Sequence, residues 1–300
     1  MAPVVLGTAG GGIHQLFDLF LNGVILGAIY VLLALGLNVI LGLIGVINFA
    51  HAAFYMLGAY LTLSFEPTLG FLPAVLAAAV VVGVIGMLTE VSVIRPLYRR
   101  IPEHALLLTF GLTLVAEQAV RWHWGDYAVN LNPPSFLDGG FSPGGFTFPA
   151  YRLFVVGATA VAVGLVWLLL NRTNLGLVIR AGVLDAEMVG ALGINVPLAF
   201  TLTFGLGSLL AGLGGALVGP VNGLNPSMAT SIIILAFVVV VIGGLGSFWG
   251  SVVGALLVGV LQSVLVYWWN PATELVPFLL MTGLLLVRPR GLFGVEGVFE

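Results

Sequence analysis

The 300-residue chain is 60% hydrophobic and only 7% charged, with a net charge of -3, a mean hydropathy of +1.18 and no cysteine. That composition excludes a water-soluble globular fold, which needs far more polar surface, and it excludes disulfides, thiolate metal sites and a cysteine nucleophile. All nine basic residues are arginine. Without lysine there is no ordinary phosphate-binding P-loop and no Schiff-base chemistry, and without a basic cluster there is no footprint for nucleic acid.

The N-terminal MAPVVLGTAGGG carries no positive charge ahead of the first apolar run, so it does not read as a cleaved secretory signal. Apolar runs long enough to cross about 30 Å of hydrocarbon then recur to the far end of the chain. They are continuous rather than alternating, which selects helices over barrel strands. The fold class expected is all-α, a polytopic membrane helical bundle forming a single domain over 1–300. Spans are predicted near 19–41, 46–64, 71–94, 104–121, 151–170, 197–219, 228–243, 250–268 and 274–289, about eight or nine crossings, some of them broken or re-entrant.

The first two runs hold an anomaly. No Asp, Glu, Lys or Arg lies between Asp18 and Glu66, yet Asn38, Asn48 and His51 sit there, each costly to bury in hydrocarbon without a partner. On a helix starting at Asn48, Asn48, His51 and Tyr55 fall at i, i+3 and i+7, one stripe of one face. Such a seam either ties helices together or lines a hydrated route for a polar solute, and both readings stand. Glu117 and Gln118 in the fourth span pose a similar choice, with Glu117 one turn from Arg121 and expected as an interfacial ion pair.

Orientation follows the arginines, which are retained in short cytoplasmic loops. Arg95, Arg99, Arg100, Arg172, Arg180, Arg288 and Arg290 all fall on one side when the N-terminus is outside and the C-terminus inside, leaving Arg121 and Arg152 at the ends of an external loop, 122–150. That loop, rich in proline, glycine and aromatic residues, is expected to form an ordered cap. Trp122, Trp124, Trp268 and Trp269 fit an aromatic belt.

Residues 171–195 form the longest cytoplasmic connection. NLGLVIRAGVLDAEMVGALGI reads as a short amphipathic helix with Ile179, Val183 and Ala186 on one face, Arg180, Asp185 and Glu187 elsewhere, and Gly190 and Gly193 ending it. From Met188 to Thr273 no charged residue or histidine follows. Glycine is frequent there, as small residues at helix crossings are in membranes. In PVNGLNPS, Pro220 and Pro226 are expected to interrupt the helix and Asn222 and Asn225 to supply polar side chains. GGLGSFWG, Gly243–Gly250, reads as either a tight cytoplasmic turn or a break inside the membrane.

His14, His51, His104 and His123 show no metal-ligand spacing, and no nucleophile is paired with a base, so neither a cofactor nor an enzymatic activity is expected.

Four segments carry a family resemblance. GLNVILGLIGVINFAHAAFYMLGAY, RAGVLDAEMVGALGINV, IGGLGSFWGSVVGALLVG and VRPRGLFG resemble, in the same order, the permeases of branched-chain amino-acid ABC transporters, specifically the LivH-type subunit, over roughly 16–294. The resemblance implies an importer subunit working by alternating access in a bacterial or archaeal cytoplasmic membrane. Its implied companions are a second, LivM-like permease, two cytoplasmic ATPases and a periplasmic or lipid-anchored solute-binding protein. It implies that Arg180, Asp185, Glu187, Gly190 and Gly193 couple to an ATPase, and it makes Asn38, Asn48, His51, Tyr55, Asn222 and Asn225 candidates to line the translocation pathway. The solute implied is a branched-chain amino acid; another amino acid, an amide or urea are the alternatives within the group. A stand-alone secondary transporter or channel is the rival from another class, and the long uncharged run counts against its need for an intramembrane charge.

Overall fold

The computed structural model describes residues 12–45, 47–98, 100–141, 148–268 and 272–294. Arg99, Trp269 and the side chains of His14 and Trp268 lie outside them. Ten α-helices are found among the described residues: α1 Gly12–Ile44, α2 Ala50–Leu69, α3 Phe71–Thr89, α4 Pro102–Trp124, α5 Ala150–Arg172, α6 Asn174–Ala191, α7 Val196–Asn222, α8 Met228–Gly243, α9 Phe248–Trp268 and α10 Ala272–Val287. Five segments, Phe17–Ile44, Phe71–Leu97, Ala150–Arg172, Val196–Asn222 and Phe248–Tyr267, are long and apolar enough to cross a membrane on length and composition alone. Two-residue strands, β1 Gly140–Phe141 and β2 Phe148–Pro149, pair antiparallel in the loop before α5.

α1 is the axis of the bundle. Its most apolar window is 83% buried, against 22% for α5, because α9, α7, α5 and α8 all pack around it. α2 and α3 complete the interior by packing on α7 and on each other. The crossings are close because glycine sits at them. A Cβ added to Gly58 of α2 would lie 2.1 Å from the Gly212 carbonyl oxygen of α7, and one added to Gly259 of α9 would lie 2.4 Å from the Gly27 nitrogen of α1. Helices in lipid gain little from burying apolar surface against each other, so van der Waals contact at such approaches takes over. The opposite faces stay apolar and outward: Leu72, Leu76, Val80, Val84 and Leu88 make an exposed stripe at four-residue spacing along α3.

Helix ends depart from the predicted spans for local reasons. Pro220 does not interrupt α7; it sits in the last turn, and the helix stops at Gly223, whose φ of 70° only glycine adopts easily. A proline so near the end costs few backbone bonds, which is why the expected break moves three residues on. At GGLGSFWG, α8 ends at Gly243 and α9 starts at Phe248, with a turn whose Gly244 and Gly246 have φ of 103° and 76°. The segment after α10 closes on this turn, Leu292 N donating to Ile242 O (2.9 Å) and Phe293 N to Gly243 O (3.0 Å).

Candidate functional site

The polar residues that stand out in the first two apolar runs are all buried: Asn38 is 3% exposed, Asn48 and His51 0%, Tyr55 4%. They are not equivalent. Asn38 spends its whole amide on the α8–α9 turn. Its Nδ2 donates to Ser247 O (2.8 Å) and Ser251 Oγ (2.6 Å), and its Oδ1 accepts from Gly246 N (2.7 Å). Asn38→Leu should therefore leave the part-buried Gly246 N and the buried Ser251 Oγ short of a partner and destabilise the chain by about 1–3 kcal/mol, the scale of one orphaned polar group. A lowered unfolding midpoint in detergent checks it.

Asn48 and His51 are differently placed. α2 begins at Ala50 rather than at Asn48, so Asn48 stands just ahead of the helix with its carbonyl accepting from His51 N at 3.4 Å. Two α4 threonines grip the intervening backbone, Thr109 Oγ1 accepting from Phe49 N and Thr113 Oγ1 donating to Phe49 O, both at 3.1 Å. Neither amide atom of Asn48 has a protein partner. His51 Nε2 lies 3.0 Å from Leu33 O of α1. A carbonyl only accepts, so the ring proton sits on Nε2 and Nδ1 is left as a buried acceptor with no protein partner. Tyr55 follows one turn on. It faces Gly214 of α7, while its own carbonyl is pressed against Gly215. A second polar contact lies nearby between α1 and α9, where the Tyr30 hydroxyl donates to Gln262 Oε1 at 3.0 Å.

Asn222, the last residue of α7, and Asn225, in the α7–α8 turn, are both exposed. Asn225 Oδ1 accepts from Ser227 N (2.9 Å), an Asx turn, and Leu224 pairs with Val129, which straps the long loop after α4 across this end. Glu117 joins the same end. Its carboxylate reaches from α4 to cap α8, Oε1 accepting from Thr230 N at 2.9 Å and from the Thr230 hydroxyl. A carboxylate at a helix N-terminus satisfies an orphan donor and the helix dipole together. The ion pair expected with Arg121 is secondary, at 4.0 Å; that guanidinium also donates to Ser227 Oγ (2.7 Å) and lies 3.0 Å from Asp126.

At the opposite end α6 is two helices rather than one. Asp185 has extended backbone (φ -159°, ψ 94°) that breaks the expected amphipathic helix. The physical reason is capping: Asp185 Oδ1 accepts from Met188 N (2.8 Å) and so starts the second, shorter helix. Gly190 falls inside that helix, and only Gly193, at φ 81°, ends it. The first half is anchored, with Ile179 buried and Gly182 close against Leu43 of α1. Arg180 Nη1 donates to Asn171 Oδ1 (2.9 Å) on α5. The second half packs inward through Val189, 4% exposed, and turns the rest outward: Asp185 and Glu187 are exposed beside Leu184, Met188 and Leu192, with Leu184 83% exposed. Among the described residues no three His, Cys, Asp or Glu come together as a metal site.

One cluster escapes a reading by helical period. Glu90, 0% exposed, ends α3 in a π-helical turn, Glu90–Ile94, and pairs with Arg95 at 2.8 Å. Their i, i+5 spacing is the π-helix hydrogen-bond period, so an acid inside an apolar run five residues before an arginine was the available signal.

The chain matches the family profile described as branched-chain amino acid transport system / permease component over residues 19–286. It is 31% identical over 300 residues to the high-affinity branched-chain amino acid transport system permease protein BraD of Pseudomonas aeruginosa, covering 94% of this chain and 97% of that one. It is 30% identical over 290 residues to LivH of Escherichia coli K12, a permease of the same description, covering 91% and 94%. It is also 30% identical over 162 residues to the fructose import permease FrcC of Rhizobium meliloti, covering 52% of this chain and 43% of that one. No solved structure matches.

Proposed function

The chain belongs to the family of branched-chain amino acid transport permease components, and from that premise we propose that it is one membrane-spanning half of an ATP-driven importer of branched-chain amino acids. It works by alternating access beside a second, LivM-like permease, in the cytoplasmic (inner) membrane of a bacterium or archaeon. α1–α5 and α7–α10 make nine crossings in one permease domain, the N-terminus outside and the C-terminus cytoplasmic, while α6 lies in the cytoplasm and 122–150 forms the external cap. The sorting of arginines supports that orientation.

The observation that carries this reading is α6. Its first half is packed on α1 and α5, and its second half, started by Asp185, offers acidic and apolar side chains to something outside the chain. A chain without lysine has no P-loop of its own, so two cytoplasmic ATPases supply the energy and receive Arg180, Asp185, Glu187 and the Gly190–Gly193 end of α6. A periplasmic or lipid-anchored binding protein delivers the solute to the face carrying Asn222 and Asn225. Within the bundle, the unpartnered amide of Asn48 and the free Nδ1 of His51 support a polar route running past Tyr55, because buried polar groups without partners are costly and call for a solute or water during the cycle. Asn38, with its amide fully used, holds the wall of that route.

The test is leucine uptake into proteoliposomes. Uptake is expected only with the partner permease, the ATPases, ATP and the binding protein present; uptake by this chain alone, driven by an ion gradient, overturns the reading. Asn48→Leu and His51→Leu should lower uptake about tenfold while the complex still assembles, the scale of one lost hydrogen bond to a passing polar group; loss of assembly instead assigns both residues to packing. A second reading, import of a different small polar solute such as another amino acid, an amide, urea or a sugar, has one observation in its favour, the partial similarity to a fructose import permease. Competition of leucine uptake by those solutes separates the two.

A further inference from the structure

Glu90 lies at the end of α3 that borders the α6–α7 connection, and everything around it is engaged. Its Oε1 accepts from Arg95 Nε (3.1 Å) and from the Tyr98 hydroxyl (2.8 Å); its Oε2 accepts from Arg95 Nη2 (2.8 Å) and from the Thr201 hydroxyl (2.8 Å). Arg95 continues across to α7, donating through Nη2 to Pro197 O (3.3 Å) and to Thr201 Oγ1. Burial, and the carboxylate beside it, push the Tyr98 phenol up, so it stays a donor. The bidentate pair joins a fully buried carboxylate to a half-buried guanidinium; such a pair is geometrically exacting, and removing the arginine strands the buried acid. The π turn has a role in this. It brings a side chain five positions from Glu90 into a fork-to-fork approach that an α-helix, with neighbours at three and four, does not supply.

What the cluster joins is specific. Pro197 and Thr201 lie in the first turns of α7, directly after the Leu192–Asn195 connection from α6, and α7 starts there with Asn195 Oδ1 accepting from Leu198 N (3.1 Å). Farther along, α3 and α7 are in contact at close approach. A Cβ on Gly86 would meet Ser208 Oγ at 2.2 Å, and one on Gly212 would meet Val82 Cβ at 2.8 Å. Those contacts allow sliding, since they are van der Waals surfaces; the Glu90 cluster at the end does not, since it is directional.

We propose that Glu90 and Arg95, with Thr201 and Tyr98, are the latch that makes α7 and α3 move as one body when the ATPases displace α6, so that they are positioning residues for coupling rather than for binding the solute. This rests on the importer reading above. Without the latch the start of α7 would yield locally and the displacement would be spent at the α6–α7 turn.

The experiment uses the full transporter in proteoliposomes and reads uptake per ATP hydrolysed, with assembly checked by co-purification. Glu90→Gln and Thr201→Val are the variants. Thr201→Val removes the two hydroxyl-mediated bonds to α7 and leaves the ion pair and the weaker Arg95–Pro197 bond in place, so it remains informative where Glu90→Gln fails to assemble. The expected result is uptake per ATP reduced about tenfold, with hydrolysis within about twofold of normal, the range of a modest coupling free energy. An assembled Thr201→Val complex with unchanged uptake per ATP overturns the latch, as does recovery of normal coupling in Glu90→Gln/Arg95→Gln, which would show that the pair only neutralises itself. A readout independent of transport separates failure of the latch from failure of the importer reading. Spin labels at Val91→Cys and Leu198→Cys, both exposed positions in a chain without native cysteine, should keep one separation with and without nucleotide, and lose that constancy in Thr201→Val. A separation that changes with nucleotide in the unmodified latch sinks the proposal whatever solute is carried.

Discussion

Gly215→Ala is expected to deplete the folded permease. A single methyl at this position would lie 1.7 Å from the Tyr55 carbonyl oxygen, well inside contact distance. The obstacle is backbone, not the tip of a flexible side chain, so α2 and α7 must part along their length. Overpacking a filled interior costs about 1–3 kcal/mol even where side chains can adjust. Here the upper end is expected, because parting the helices also forfeits the many weak contacts at the crossing. Against a total of about 5–15 kcal/mol that is a large fraction. The measurement is the unfolding midpoint and the monodisperse yield in detergent. Gly157→Ala is the control. It lies in α5 with nothing within 4 Å of the added atom, so it should be neutral or gain about 0.5–1 kcal/mol from helix propensity. Equal behaviour of the two variants would show that close approach of α2 and α7 does not hold this bundle together.

The Asp185→Lys/Glu187→Lys chain should remain folded and fail to couple. Both side chains are exposed, so no interior contact is lost, and the one local cost is the cap from Asp185 to Met188 N, worth about 1 kcal/mol. If the proposed ATPase contact holds, reversing two charges on this face turns attraction into repulsion of several kcal/mol. ATPase co-purification should drop and leucine uptake should fall by about a hundredfold, the equivalent of about 2.8 kcal/mol. Asp185→Asn keeps the cap and isolates the charge; it should lose less. Normal co-purification and uptake in the double variant would remove α6 from the coupling path.

The helices were legible because hydropathy is a property of a contiguous segment. The helix over 228–243 falls where the apolar run does. α5 and α7 extend past the predicted 151–170 and 197–219 by no more than three residues at an end. The functional side chains were legible as types but not as partners. Asn48, His51 and Tyr55 were visible as polar residues at helical spacing; that Asn48 precedes the helix and keeps an unpaired amide was not. Asn38 looked like one of the same set, yet it bonds to a turn 209 residues away. In α6, Asp185 read as a charged side chain on a helix, although aspartate is a poor helix former and a good cap, and that preference decided the outcome.

By itself the amino-acid sequence determined that this protein lives in a bilayer as helices, that it binds no nucleotide through a lysine-bearing loop, and that its polar residues cluster in a few places. These follow from composition and local periodicity, since the energy of placing a segment in lipid is summed residue by residue. Only the tertiary structure decided which helices touch, that glycines at Gly58, Gly212 and Gly215 let α2 and α7 meet, and that Glu90 reaches Thr201 across a π turn. Hydrogen bonds and close contacts depend on distances of a few ångströms between segments far apart along the chain, and no local pattern encodes those distances.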